Sequence, residues 1–278
     1  MRKIARLMAS IMVMTILSTE ILANENPYHG KKASAYLVGD YMNVDAAKAK
    51  LIAGGYEVLG VYAPVKKGAT IVFTDAALKK EAAKPNRSHV ALLRMFVDER
   101  EKTISVTNPI YFGKAFMQEE FNYDVFAHEL SQINKTLGGL EESADALNFD
   151  DLGEYHFMIN MPYYSDVVEI GDGVHEELLS KARDYKKGKL LLFELKLSKN
   201  STIVAYDLSK RTKKFVEKIG RENASVLPYC VSIEGEKATI MDAKYYLAIA
   251  YPSLSMAQFT TIATVPGAIS KELAQTFR

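Results

Sequence analysis

The sequence predicts an α+β fold made of two tandem copies of one small domain, each with a mostly antiparallel sheet covered by helices. The segment KGATIVFTDAALKK at 67–80 returns as KNSTIVAYDLSKRT at 199–212. A second block, EKTISVTNPIYFGKAF from Glu101, returns as EKATIMDAKYYLAIAY from Glu236. The offsets are 132 and 135 residues, as one loop insertion would leave. Strand-like and helix-like runs are mixed within each copy, which is typical of a sheet with helices packed on it.

In the first copy, turn and capping residues separate the apolar runs. Gly54-Gly55 ends a helix, Pro64 ends a strand, and Asp75 is placed to cap the next helix with its carboxylate. The predicted elements are a helix at 44–53, strands at 56–63 and 70–73, a helix from Asp75 to about Ala83, strands at 90–97 and 102–107, a helix from Asn108-Pro109 and a helix at 121–137.

The second copy follows the same order. Asp207 is predicted to cap a helix at 208–219, in the same role as Asp75. A hairpin at 227–233 and 237–241 and helices at 245–251 and 255–262 complete it. The predicted divisions are a signal peptide at 1–23, a first domain at 24–140, a linker at 141–155 and a second domain at 156–278.

Residues 1–23 have the three-part layout of a secretory signal peptide. Arg2, Lys3 and Arg6 give a positive start, 7–17 is an apolar run, and Ala23 is a small residue at the expected cleavage position. The apolar run of 11 residues is shorter than the ~20 residues that a membrane helix needs. We therefore expect a periplasmic protein that begins at Asn24 after cleavage and keeps no membrane span.

The mature chain has no overall charge that would attract nucleic acid. Removing residues 1–23 takes away three basic residues and one acidic residue, which leaves 32 basic and 33 acidic side chains. Cys230 is the only cysteine and lies in an apolar run. The sequence therefore predicts a buried structural thiol and no intramolecular disulfide.

A family resemblance rests on the first copy's apolar strand at 70–72, its run at 89–97, a charged turn, and a strand ending in Asn108-Pro109 before Tyr111. This order resembles the bacterial domain-of-unknown-function family 302. That family has an apolar strand, a helix, a strand entered through Leu-Pro, a turn, and an Asn-Pro step before a helix. The resemblance covers about 44–137 and 174–273, and it implies a compact α+β domain without an established chemistry.

The two copies depart from the family pattern in complementary places. The first has Leu93-Arg94 where Leu-Pro is expected, and the second has Leu227-Pro228 but Ala243-Lys244 in place of Asn-Pro. An ancestral site would therefore survive in only one copy.

His156, Met158 and Met161 form the most specific candidate metal site. If 156–161 is a strand, His156 and Met158 point to one face, and imidazole plus thioether suits Cu(I). The competing interpretation is that both methionines fill the core or an interface and that His156 is a solvated edge residue. No HExxH zinc spacing, nucleophile elbow or phosphate-binding glycine loop is present, and no cofactor is indicated.

Tyrosines near the predicted helix starts could line a cleft between the domains, because tyrosine offers contact area together with a hydroxyl group. The candidate ligand-binding residues are Asn108, Tyr111, Tyr163, Tyr164, Tyr245, Tyr246 and Tyr251. The sequence favours a non-enzymatic periplasmic binding or accessory protein for a small molecule or a protein partner. The alternatives are a periplasmic copper carrier and an uncharacterised enzyme.

Overall fold

Two antiparallel sheets, one in each half of the chain, carry the fold. The computed structural model describes residues 26–278, so the predicted signal peptide lies outside the described residues. The strands are β1 (Lys32–Ser34), β2 (Tyr36–Asp40), β3 (Glu57–Val65), β4 (Gly68–Thr74), β5 (Leu93–Asp98), β6 (Thr103–Thr107), β7 (Glu141–Glu142), β8 (Ala146–Asn148), β9 (Val168–Asp172), β10 (Leu191–Ser198), β11 (Ser201–Tyr206), β12 (Tyr229–Glu234) and β13 (Lys237–Ile240). The prediction of an α+β fold with antiparallel sheets is confirmed.

Helices are distributed over both halves. They are α1 (Val44–Ala53), α2 (Ala76–Ala82), α3 (Pro109–Met117), α4 (Tyr123–Leu137), α5 (His175–Asp184), α6 (Lys210–Lys213), α7 (Val216–Ile219), α8 (Ala243–Ala250), α9 (Met256–Thr261) and α10 (Val265–Ala274). None of the helices in 26–278 is both long enough and apolar enough to cross a membrane.

The two large sheets have the same strand order over five strands. The first runs β3-β4-β5-β6-β2 and gains β7 at its edge, and the second runs β10-β11-β12-β13-β9. In both, a strand precedes a helix, a hairpin, a helical segment, a second hairpin and further helices. The strands β1, β2 and β9 were not predicted from the sequence. β2 and β9 are short and pair at the far side of the second hairpin, with β6 and β13.

Local sequence explains the ends of the first-half helices. Asn43 caps α1 through a 2.8 Å bond from the Ala46 amide, and Gly54 ends that helix. Asp75 accepts the Leu78 amide at 2.8 Å, which confirms its predicted role as the cap of α2. Asn108 caps α3 ahead of Pro109, as the Asn-Pro step predicts.

Two local predictions are wrong. Asp207 does not cap a helix: Ser209 caps α6, and the predicted helix at 208–219 is broken into α6 and α7. The carboxylate of Asp207 instead binds side chains of both halves, and these contacts compete with capping. Pro64 does not end β3, which continues to Val65 through an irregular register where the missing amide hydrogen is tolerated.

The segments around the predicted linker lie against the first half or form loops. Within 141–155, β7 pairs with β2 and β8 pairs with β1. Residues 156–161 form a loop with a turn rather than a strand, so the geometry expected for His156 and Met158 on one strand face is wrong.

A buried carboxyl group lies in the first half. Glu129 on α4 is fully buried, and one of its oxygens accepts the Tyr56 hydroxyl at 3.4 Å, while the other has no hydrogen-bond partner among residues 26–278. Burial, followed by the nearby charge of Asp75, raises the pKa of Glu129 from 4.5 to about 8. The folded chain therefore favours the neutral acid.

We predict that Glu129→Gln flattens the pH dependence of stability. Because the folded-state pKa lies above the unfolded value, the stabilisation is complete below about pH 4.5 and is lost as the pH rises towards 8. In thermal unfolding, Glu129→Gln should have a higher Tm than the wild type at pH 8, and the difference in Tm between the two proteins should close by pH 5. Glu119→Gln, at an exposed position, is the control. A gap independent of pH would contradict the prediction.

Candidate functional site: the interface between the halves

The two halves meet through reciprocal hydrogen bonds between α3 and α8. The Tyr111 hydroxyl donates to the Ile249 carbonyl at 2.9 Å, and the Tyr245 hydroxyl donates to the Ala115 carbonyl at 3.4 Å. The two bonds are related by a shift of 134 residues: the donor Tyr111 corresponds to the donor Tyr245, and the acceptor Ala115 corresponds to the acceptor Ile249. The same shift relates Asn108, which caps α3, to Asp242, which caps α8.

Arg94 crosses the interface from β5. Its guanidinium donates to the carbonyl oxygens of Ser225, Val226 and Pro228 at 2.8–3.0 Å and contacts the Cys230 sulfur at 3.2 Å. Within residues 26–278, no carboxylate lies within salt-bridge distance of this buried cation. Backbone carbonyl dipoles of the second half therefore supply the compensation that a buried charge requires.

Cys230 is buried and free, as predicted. Burial raises the pKa of its thiol, and the adjacent Arg94 offsets only part of that increase. A raised pKa disfavours the thiolate, so Cys230 acts as a packing group and a weak acceptor.

An ion pair and a hydroxyl group add further contacts between the halves. Two guanidinium nitrogens of Arg221, in the second half, donate to the Asp98 carboxylate at 2.7 and 2.9 Å, and both side chains are largely buried. Burial raises the pKa of Asp98, but the Arg221 contact and two backbone amides outweigh it and hold that pKa below its usual value. In a separate contact, the Tyr62 hydroxyl donates to Asp207 at 2.6 Å.

A cavity of about 20 Å³ lies inside the interface beside Arg94. Its lining residues include Tyr36, His89, Ser225 and Tyr246, and the Ser225 hydroxyl has no hydrogen-bond partner in the described part of the chain. Burial, and to a lesser extent Arg94, lowers the pKa of His89 to about 3, so the imidazole is neutral. This volume is enough for about one water molecule and too small for an organic ligand.

An open groove of about 630 Å³ lies at the edge of the same interface, and we call it the inter-half groove. The first half contributes Asn86, Ser88 and His89, and the second half contributes Ser232, Glu234, Lys237 and Thr239 at the β12–β13 hairpin. Tyr164 and Val167 close the groove from the loop before β9, and Glu169 closes it from β9 itself.

Several groove side chains are held in place by partners from the opposite half. The Ser88 hydroxyl donates to the Ser232 hydroxyl at 2.8 Å, and the Asn86 amide donates to the Glu234 carboxylate at 3.0 Å. The Tyr164 hydroxyl donates to the Asn86 carbonyl at 2.8 Å. Lys237 and Glu169 form an exposed pair at 2.6 Å on the rim. The groove therefore combines apolar surface with polar groups of both charge signs, and it is formed only when the halves are docked.

Most of the tyrosines predicted to bind a ligand are buried in the interface. Tyr164 lines the inter-half groove, Tyr246 lines the small cavity, and Tyr163 is 41% exposed. Asn108, Tyr111, Tyr245 and Tyr251 are buried away from both spaces. Ligand contact by these four residues stays a prediction.

The predicted copper ligands lie in the loop at 155–167. His156 packs against the Tyr163 ring at 4.5 Å between centroids, Met158 is 42% exposed, and Met161 is packed against the core. Within residues 26–278, no cluster of three or more His, Cys, Asp or Glu side chains is arranged to hold a metal ion. Copper binding by the His156 and methionine set stays a prediction.

Sequence reasoning missed the groove residues Ser88, His89, Ser232 and Glu234. Ser88 and Ser232 are separated by 144 residues, and no local motif links them. Ser88 and His89 lie on the helical turn before β5, Ser232 and Glu234 lie on β12, and only the docked structure brings the two segments together.

No protein-family model, no curated protein and no solved structure matches this chain. The resemblance of each half to the domain-of-unknown-function family 302 stays a prediction.

We predict that Arg94→Met destabilises the protein by about 3 kcal/mol or more, because it leaves the Ser225, Val226 and Pro228 carbonyls without their buried donor. Arg100→Met removes an exposed arginine and should change the free energy of unfolding by less than about 0.5 kcal/mol. Urea unfolding measures both. If both variants lose the same small amount of unfolding free energy, Arg94 is not needed for docking.

Proposed function

We propose that this chain is an exported, periplasmic, non-enzymatic binding or accessory protein built from two copies of one domain, with its ligand site in the inter-half groove. Three observations support the duplication: the shared strand order, the similar sequence blocks, and the reciprocal bonds of Tyr111 and Tyr245. A reciprocal interface is what two copies related by a two-fold axis produce.

The observation that carries the binding proposal is the groove itself. Its volume of about 630 Å³ falls within the range of ~300–1,000 Å³ typical of small-molecule sites. Both halves supply its walls, and the contacts between Ser88 and Ser232 and between Asn86 and Glu234 hold those walls in place. A preformed groove spends little free energy on ordering when a ligand binds.

Groove chemistry favours a small polar ligand. Hydroxyl groups of Ser232 and Thr239, the Glu234 carboxylate and the Lys237 ammonium offer donors and acceptors of both charge signs. Val167, which is 44% exposed, adds an apolar contact at one side.

A binding role is favoured over catalysis by the partners of the groove side chains. The Ser88 hydroxyl donates to another hydroxyl, Ser232, rather than to an imidazole or a carboxylate, so no base in that bond activates it. His89 is neutral and largely buried.

Periplasmic location is supported by the signal-like residues 1–23. If the chain is exported, the mature protein begins at Asn24. N-terminal sequencing tests this on protein that is expressed with residues 1–23 in a Gram-negative host. An N-terminus at Met1 would contradict export.

We predict that Thr239→Phe fills the groove and abolishes ligand retention. Thr239 is a half-buried strand residue that lines the groove, and Thr103→Phe is a matched change at a half-buried position of β6 away from it. Native mass spectrometry of protein purified from the periplasm should show an organic adduct on the wild type and on Thr103→Phe, but not on Thr239→Phe.

Circular dichroism should confirm that both variants are folded before their masses are compared. A bare wild-type mass, or an adduct that persists on a folded Thr239→Phe protein, would overturn the groove as the ligand site.

A further inference from the structure

A second open groove, of about 800 Å³, lies wholly within the second half. We call it the basic groove. Its walls are the turn at 185–188, the segment at 207–213 that includes α6, and the helix α10. It shares no lining residue with the inter-half groove.

Cationic side chains outnumber carboxylates in the basic groove by five to two: Lys186, Lys210, Arg211, Lys213 and Lys271 against Asp207 and Glu272. Both carboxylates are already engaged by the protein. Asp207 accepts the Tyr62 hydroxyl and the Lys213 ammonium, the latter at 2.8 Å. Glu272 accepts the Ser209 amide and the Thr212 hydroxyl at the start of α6.

The other four cations, Lys186, Lys210, Arg211 and Lys271, have no ion-pair partner within 4.0 Å among residues 26–278. All four line one depression, and like charges gathered in this way repel one another. An anion bound between them would remove that repulsion.

The backbone of the turn supports the same conclusion. Lys186 and Lys187 have φ values of 52° and 58°, and Gly188 follows at 71°. Side-chain-bearing residues rarely adopt this left-handed conformation, and consecutive examples need a surrounding structure that imposes it. The turn sets Lys186 on the groove wall next to Tyr185, whose ring lies 5.7 Å from the Lys186 ammonium.

Charge along the chain is concentrated in the same region. Residues 181–218 contain twelve basic and four acidic side chains, whereas 141–173 contain nine acidic side chains and no lysine or arginine. The near-zero total charge conceals this local excess, which would attract an anion to the second half.

We propose that the basic groove binds a ligand through its phosphoryl groups. Several cations around one depression suit a compact anion with more than one charge. Arg211 supplies the planar fork that pairs with phosphate oxygens, and the lysines act as point charges around it. This site goes beyond the proposed function and does not depend on the inter-half groove.

Isothermal titration calorimetry with sodium tripolyphosphate tests the proposal on the full mature chain. The groove variant is Lys210→Gln with Lys271→Gln, and the matched control is Lys214→Gln with Lys218→Gln, two exposed lysines that do not line the groove. We expect at least tenfold weaker binding for the groove variant and less than a twofold change for the control. Arg211→Lys, which keeps the charge but loses the fork, should fall between them.

A parallel sedimentation experiment with vesicles of phosphatidylglycerol or phosphatidylcholine distinguishes a lipid phosphate from a soluble one. Binding to phosphatidylglycerol that the groove variant loses and the control keeps assigns the site to lipid headgroups. Tripolyphosphate binding with the same variant dependence, without vesicle binding, assigns it to a soluble phosphate ligand. Absence of binding to both, or equal weakening in the groove variant and the control, would overturn the proposal.

Discussion

The Arg94 guanidinium depends on the docking of the two halves more than any other group described here. It is buried, it carries a charge, and its oxygen acceptors are backbone carbonyls of the opposite half at Ser225, Val226 and Pro228. A charge taken from water must recover its solvation from such partners, and it recovers it here only in one relative arrangement of the sheets. The forked pair between Asp98 and Arg221 adds a second directional contact to that arrangement.

The interface tyrosines follow the same principle with neutral groups. A buried hydroxyl needs a partner, and Tyr111 and Tyr245 each find one in a carbonyl of the opposite helix. Side chains used in this way stabilise the interface, and the cavity that remains inside it has room for about one water molecule. The open groove lies instead at the rim, where Ser88, Ser232 and Glu234 approach the surface.

The electrostatic character of both open grooves depends on where charged side chains lie, and not on the net charge of the chain. In the inter-half groove, the second half supplies all the charged groups: Glu169 and Glu234, and Lys237, which pairs with Glu169. In the basic groove, Tyr62 and Lys213 bind Asp207, and neutral donors bind Glu272, so the remaining four cations have no ion-pair partner among residues 26–278. Asp207 thus links interface packing to the electrostatics of a site that is otherwise built from the second half.

The sequence by itself determined the elements whose signals are local. Asn108-Pro109, Asp75 and Gly54 fix helix ends because their side-chain and backbone preferences act within one turn, and the apolar runs fix the hairpins. It also indicated a buried thiol at Cys230, because apolar neighbours favour burial. Only the tertiary structure decided that Asp207 binds across the interface instead of capping a helix, that the hydroxyls of Tyr111 and Tyr245 bond to carbonyls of the opposite helix, and that Ser88 contacts Ser232. Those outcomes depend on contacts between residues more than a hundred positions apart, and no local pattern encodes such contacts.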